Sequence, residues 1–183
     1  MPGAGGGRFG RPSKPLAITV GIVLLLIVGW VVVGPVTTSL NDRYESFYPS
    51  LAEADKDGAI TRGWIPDDLL PSSSRTIHEL HDLSPSREWC AFEFATDDSQ
   101  RLRKNLKSID VLPPPVRRVR NPDVSWWPGV LKGNLDIARI RSDGFDLYEV
   151  ERPANSVMTD VLLFAVDWSN GRGFFYRTSK SNE

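Results

Sequence analysis

The nine residues RTIHELHDL, Arg75 to Leu83, hold both histidines of the chain, spaced three apart, with Glu79 between them and Asp82 after the second. Imidazoles and carboxylates in such a run could ligate a metal ion or exchange protons. Histidines at i and i+3 converge only on a helix; on a strand successive side chains alternate, and His78 and His81 leave from opposite faces. The zinc-protease pattern needs its two His at i and i+4, and HELH is one residue short. The run reads as a strand, Thr76 to Asp82. Across the turn LSPSR it faces a second strand, Glu88 to Thr96, in which Cys90, Phe92 and Phe94 alternate with Ala91, Glu93 and Ala95. The histidines then sit at the sheet surface or in hydrogen bonds.

A second stretch, EADKDGAITRGW from Glu53 to Trp64, places Asp55, Asp57, Gly58, Ile60 and Thr61 as in an EF-hand calcium loop. Calcium needs a bidentate carboxylate at the twelfth position, which is Trp64. Gly58 reads instead as a helix terminator, and a calcium-stabilised module on Asp55 and Asp57 remains a third functional alternative. Nucleophilic chemistry has no signature: there is no G-x-S-x-G elbow, P-loop or dinucleotide fingerprint. No catalytic residue, cofactor or metal ligand is assigned.

The remaining constellation is VRRVRNPDVSWWPGV. Arg117, Arg118 and Arg120 precede Trp126 and Trp127, and these residue types are common energetic anchors of binding surfaces. All five form the candidate partner surface, with core packing the competing role for at least one Trp.

Several elements must position these residues. Asn41 to Asp57 reads as helical at its end, where Pro49 and SLAEADKD lead to Gly58. A capped helix is expected from Asp97 to Ile109, with Leu102, Leu106 and Ile109 as its apolar stripe and Arg103, Lys104 and Lys107 solvated opposite. LPPPV, Leu112 to Val116, should be extended. The remainder reads as a meander: Leu135 to Arg141 and Phe145 to Glu151 around SDG, then Val161 to Trp168 and Gly173 to Arg177 around SNGR. Both sets of strands are expected to share one sheet, with the Asp97 to Ile109 helix on a face.

Ahead of this lies the clearest compositional signal. Pro15 to Asn41 contains no charged residue or His, and as a helix Leu16 to Val36 would span about 30 Å, the thickness of bilayer hydrocarbon. Arg8, Arg11 and Lys14 precede it, whereas Asp42, Arg43 and Glu45 follow with mixed sign. Positive-inside then puts the amino terminus in the cytoplasm and the rest outside. A cleaved signal peptide is the rival, disfavoured by the length of the run and the lack of an A-x-A site. The organisation expected is a disordered cytoplasmic tail (1–15), a transmembrane helix (16–36), a juxtamembrane helical segment (37–61) and an extracytoplasmic domain (62–183). After the apolar run there are 19 Lys and Arg against 23 Asp and Glu, a formal charge of −4, which argues against a nucleic-acid partner. The single cysteine, Cys90, excludes an internal disulfide and reads as a buried thiol.

The segments RGWIPDDLLPSSSRTIHELHDLSPSREWCAFEF, SWWPGVLKG and AVDWSNGRGFFYR resemble a group of small bacterial envelope proteins of unassigned activity. The resemblance covers most of Arg62 to Arg177 and implies one bacterial extracytoplasmic domain, with no catalytic residue or ligand attached; together with the apolar run it makes the bacterial inner membrane the expected location. The fold class expected is therefore α+β: a single N-terminal transmembrane helix, then an antiparallel β-sheet domain with one or two helices packed on it. The function expected is a membrane-anchored, non-catalytic module that binds a partner protein or envelope component. The alternative is an envelope hydrolase whose site assembles only in the fold.

Overall fold

The computed structural model describes residues 42–83, 86–154 and 156–181. Contacts divide the chain into two units, Met1–Asp42 and Arg43–Glu183; the architecture below is that of the second. The tail and the Leu16 to Val36 run lie outside the described residues. Among the described residues no helix is long and apolar enough to cross a membrane.

In chain order the elements are β1 (Arg43–Ser50), α1 (Leu51–Lys56), β2 (Arg75–Leu83), β3 (Ser86–Glu93), α2 (Gln100–Asn105), β4 (Lys107–Ser108), β5 (Arg118–Val119), β6 (Gly133–Asn134), α3 (Ile137–Ser142), β7 (Asp146–Pro153), β8 (Met158–Asp167) and β9 (Arg172–Ser181). Seven strands form one antiparallel sheet in the order β1-β2-β3-β9-β8-β7-β4, and β5 and β6 form a separate two-stranded ribbon. The β2–β3 hairpin and the β7–β8–β9 meander meet where β3 pairs with β9, Trp89 opposite Tyr176 and Phe92 opposite Gly173. Both strand sets thus share one sheet.

The expectation of an α+β domain is overturned. The domain is mostly antiparallel sheet, and its α-helices are six residues each, less than two turns. The helix expected over Asp97 to Ile109 is a 3-10 turn at Thr96–Asp98 followed by α2 alone. Leu106 turns extended, and Lys107 and Ser108 pair with Glu149 and Tyr148 of β7. The apolar stripe divides accordingly: Leu102 and Leu106 enter the core on one face of the sheet, Ile109 the core on the other. Sheet pairing has outcompeted local helical periodicity. Arg43–Ser50 is a strand, with helix only in Leu51–Lys56. Conversely, the strand expected at Leu135 to Arg141 contains α3, whose start is capped by the Asp136 carboxylate accepting from the Ala138 and Arg139 amides. Of LPPPV, Pro113 is extended, but Pro114–Val116 close a 3-10 turn.

Both faces of the sheet are covered. In β8, Val161, Leu163 and Ala165 pack against Trp127, Val116 and Ile140 on one side, while Leu162, Phe164 and Val166 pack with Ile65, Leu70 and Leu102 on the other. This explains the unbroken apolar run VLLFAV, since a strand buried on both faces has no polar side to present.

Candidate functional site

β2 is formed as the sequence suggested, and its alternation sends the two histidines to opposite faces. On one face, the His78 ring lies 4.9 Å from Phe47 and 5.5 Å from Trp126, nearly parallel to the indole. On the other, His81 is buried, its ring stacked on Tyr44 at 5.2 Å and 4.3 Å from Trp64.

Beneath that aromatic cover lies a ladder of ionisable groups. His81 is opposite Glu88 on β3, and Glu88 is opposite Arg177 on β9. Glu79, two residues before His81 and facing the same way, is fully buried, and Glu88 is 1% exposed. His81 Nδ1 lies 2.7 Å from Glu79 Oε1. Glu88 forms an ion pair with the Arg177 guanidinium, which also donates to the Gly63 carbonyl at 2.7 Å. Arg62 spreads over the Trp64 ring at 4.0 Å and pairs with Asp57 at 3.1 Å.

Burial pushes the Glu79 carboxyl up to about 8, against the opposing pull of Arg177 and Arg62. Glu88 is raised well above the usual range, again mainly by burial and despite Arg177. His81 is lowered by burial and by the same two cations, which favours the neutral imidazole, and one proton is shared between its Nδ1 and Glu79 Oε1 across the 2.7 Å contact. Glu79 Oε2 and Glu88 Oε1 have no hydrogen-bond partner among the described residues. The Cys90 thiol, opposite Glu79, is likewise pushed up by burial. The cluster can hold protons, and His81 lies buried against the Tyr44 and Trp64 rings.

The residues of the expected partner surface separate. Trp127 is core: it is 3% exposed, donates from Nε1 to the Leu131 carbonyl at 3.0 Å and meets Phe174 edge-on. Trp126 is half-buried, and its Nε1 donates to Glu45 Oε1 at 2.9 Å. Arg117 is exposed, with Nε donating to the Leu112 carbonyl at 3.1 Å. Arg118 and Arg120 do come together. With Arg87, Val119, Asn121, Gly133 and Tyr176 they line an open pocket of about 390 Å³. Sequence reasoning missed Arg87 and Tyr176, because β3 and β9 bring them from far along the chain and neither belongs to a motif.

At the EF-hand-like stretch, Gly58 takes φ +78° directly after α1 and its cap, as a helix terminator does. Asp57 Oδ2 accepts from the Tyr48 hydroxyl at 3.0 Å and from Arg62 at 3.1 Å. A guanidinium therefore already occupies the carboxylate a calcium ion would need. Among the described residues no group of three or more His, Cys, Asp or Glu is placed to hold a metal ion.

A family model described as the YbbD head domain matches residues 42–93, the stretch that forms β1, α1, β2 and β3. No curated protein and no solved structure matches the chain.

Proposed function

We propose that this chain is a non-catalytic binding module of the bacterial envelope, its folded domain standing outside the cytoplasm. One observation carries the reading: the groups that could do acid–base chemistry are shut beneath Trp64 and Tyr44, whereas the open polar concavity is rimmed by Arg87, Arg118 and Arg120. Such a surface recognises rather than transforms. The likeness of residues 42–93 to a head domain supports it, since that name describes a structural part and not a reaction. The charge-free stretch Pro15 to Asn41, preceded by Arg8, Arg11 and Lys14, is what would tether the chain to the membrane.

The test has two arms. Protease added to intact spheroplasts should digest the carboxyl-terminal domain; protection would overturn the placement. The full chain should bind washed envelope fragments saturably, and the combined Arg117→Ala, Arg118→Ala, Arg120→Ala variant should bind about tenfold less with an unchanged melting temperature. Equal binding by the two would overturn the surface assignment.

A further inference from the structure

We propose that the pocket between β3, β9 and the β5–β6 ribbon binds a phosphate ester. The proposal rests on the binding-module reading and names the ligand class of its open surface.

Strand alternation builds the pocket. Val119 points into the core, 1% exposed, so its neighbours Arg118 and Arg120 both turn outward on one side of β5. The ribbon is moored at several points. Arg118 pairs with Asn134 and Val119 with Gly133, the Leu135 amide donates to the Arg117 carbonyl at 2.9 Å, and Trp89 Nε1 donates to the Arg120 carbonyl at 3.2 Å. From the sheet, Arg87 contributes the third guanidinium and lines the pocket together with buried Tyr176. These backbone and side-chain moorings hold the cations in place before any ligand arrives.

The charge balance identifies what is missing. Arg120 lies 3.5 Å from Asp82, while Arg118 meets no carboxylate within ion-pair distance among the described residues. Three guanidiniums against one carboxylate leave a surplus of about two positive charges, in a domain whose formal charge is negative. A phosphate monoester carries about that charge at neutral pH and three acceptor oxygens, which the guanidinium forks and the Asn121 amide can meet from several sides. A flat carboxylate would leave donors unused. At about 390 Å³ the pocket also has room for a small organic group beyond the phosphate. A polynucleotide is disfavoured as a partner, since the portion after the apolar run carries a formal charge of −4.

The experiment uses the full chain in neutral detergent micelles and titration calorimetry with three probes: inorganic phosphate, glycerol 3-phosphate and succinate. Glycerol 3-phosphate should bind saturably and more tightly than inorganic phosphate, and succinate should bind at least tenfold more weakly. Arg118→Ala should weaken phosphate binding about tenfold or more, and Arg118→Lys less, with the melting temperature unchanged in both because Arg118 is exposed. Competition by phosphatidylglycerol in mixed micelles would assign the ester to a lipid headgroup; its absence would assign a soluble ester, and either supports the pocket. No heat with any phosphate probe at millimolar concentration, succinate binding as tightly, or indifference to Arg118→Ala would overturn the inference. If envelope binding persists while phosphate fails to bind, the ligand class is wrong and the binding-module reading stands.

Discussion

Glu88 and Arg177 occupy facing positions on β3 and β9, and their side chains pair beneath the sheet surface, the carboxylate 1% exposed and the guanidinium side chain 23%. The pair joins the amino-terminal hairpin to the carboxyl-terminal meander at the one seam that makes them a single sheet. Arg177 also donates to the Gly63 carbonyl, so it ties the β1–β2 connection over the cluster containing Glu79 and His81. One side chain thus links seam, cover and buried acids.

Removing that cation alone should be costly. Arg177→Met removes the donor facing buried Glu88 and the tie to the Gly63 carbonyl, and should destabilise the domain by about 1–3 kcal/mol. Adding Glu88→Leu should recover most of the loss, because the uncompensated carboxyl disappears with its desolvation penalty. Urea denaturation of the single and double variants measures both. A double variant no more stable than the single one would show that the pair does not act as a unit.

Glu79 makes stability depend on pH in a specific window. Its folded value, about 8, lies above its ordinary 4.5, so its contribution is complete below 4.5 and is lost as pH rises through 8. His81 is shifted the other way, so its contribution is present above 6.5 and is lost as pH falls. The two oppose each other below 6.5, and the decline should emerge between pH 6.5 and 8, worth about 2 kcal/mol. Wild-type melting temperature should fall across that interval, and Glu79→Gln should lessen the fall. Glu88, raised in the same direction, adds to the same decline and carries it to higher pH, so Glu88→Gln should also reduce the slope. A wild-type profile flat from 6.5 to 8.5 would mean that Glu79 is not held neutral.

Gly173 is required by contact and not by backbone conformation. A Cβ there would lie 2.2 Å from the Phe92 ring, which packs over the position from the neighbouring strand. Gly173→Ala should cost about 1–3 kcal/mol by forcing the ring aside. The companion Phe92→Leu should relieve part of it. Thermal melts of the single and double variants would show the coupling; strict additivity would argue against the contact.

What could be read from the sequence follows from where each signal is stored. The β2–β3 and β8–β9 hairpins were legible because alternation and turn residues are local; Asp167 closes the second turn by accepting from Ser169, Asn170 and Arg172. β1 was not, because Pro49 and SLAEADK point to helix while its pairing partner lies beyond the connection to β2. α3 carried its signals, a capping Asp136 and Gly144 at φ +89°, but so short an amphipathic run also passes for a strand. The opposed histidines follow from alternation alone. The burial of Glu79 and Glu88 does not, since it depends on which loop covers the sheet. For the pocket, Arg118 and Arg120 are near in sequence, whereas Arg87 and Tyr176 arrive through strand order.

The adjacent tryptophans provide the sharpest contrast of the core with its edge. Trp127 fills space against Phe174 and Leu131, and Trp127→Ala should cost about 3–5 kcal/mol. Trp126 is half-buried, resting on His78 and donating to Glu45, so Trp126→Ala should cost about 1 kcal/mol, from partial burial and one charge-assisted hydrogen bond. Only the second change leaves the folded domain intact enough to report on binding. Urea midpoints at constant m-value measure both. Because Trp126 sits against β1 and β2, and does not line the arginine pocket, Trp126→Ala should leave glycerol 3-phosphate affinity within about twofold of wild type. A tenfold loss would instead mean that the two surfaces act as one.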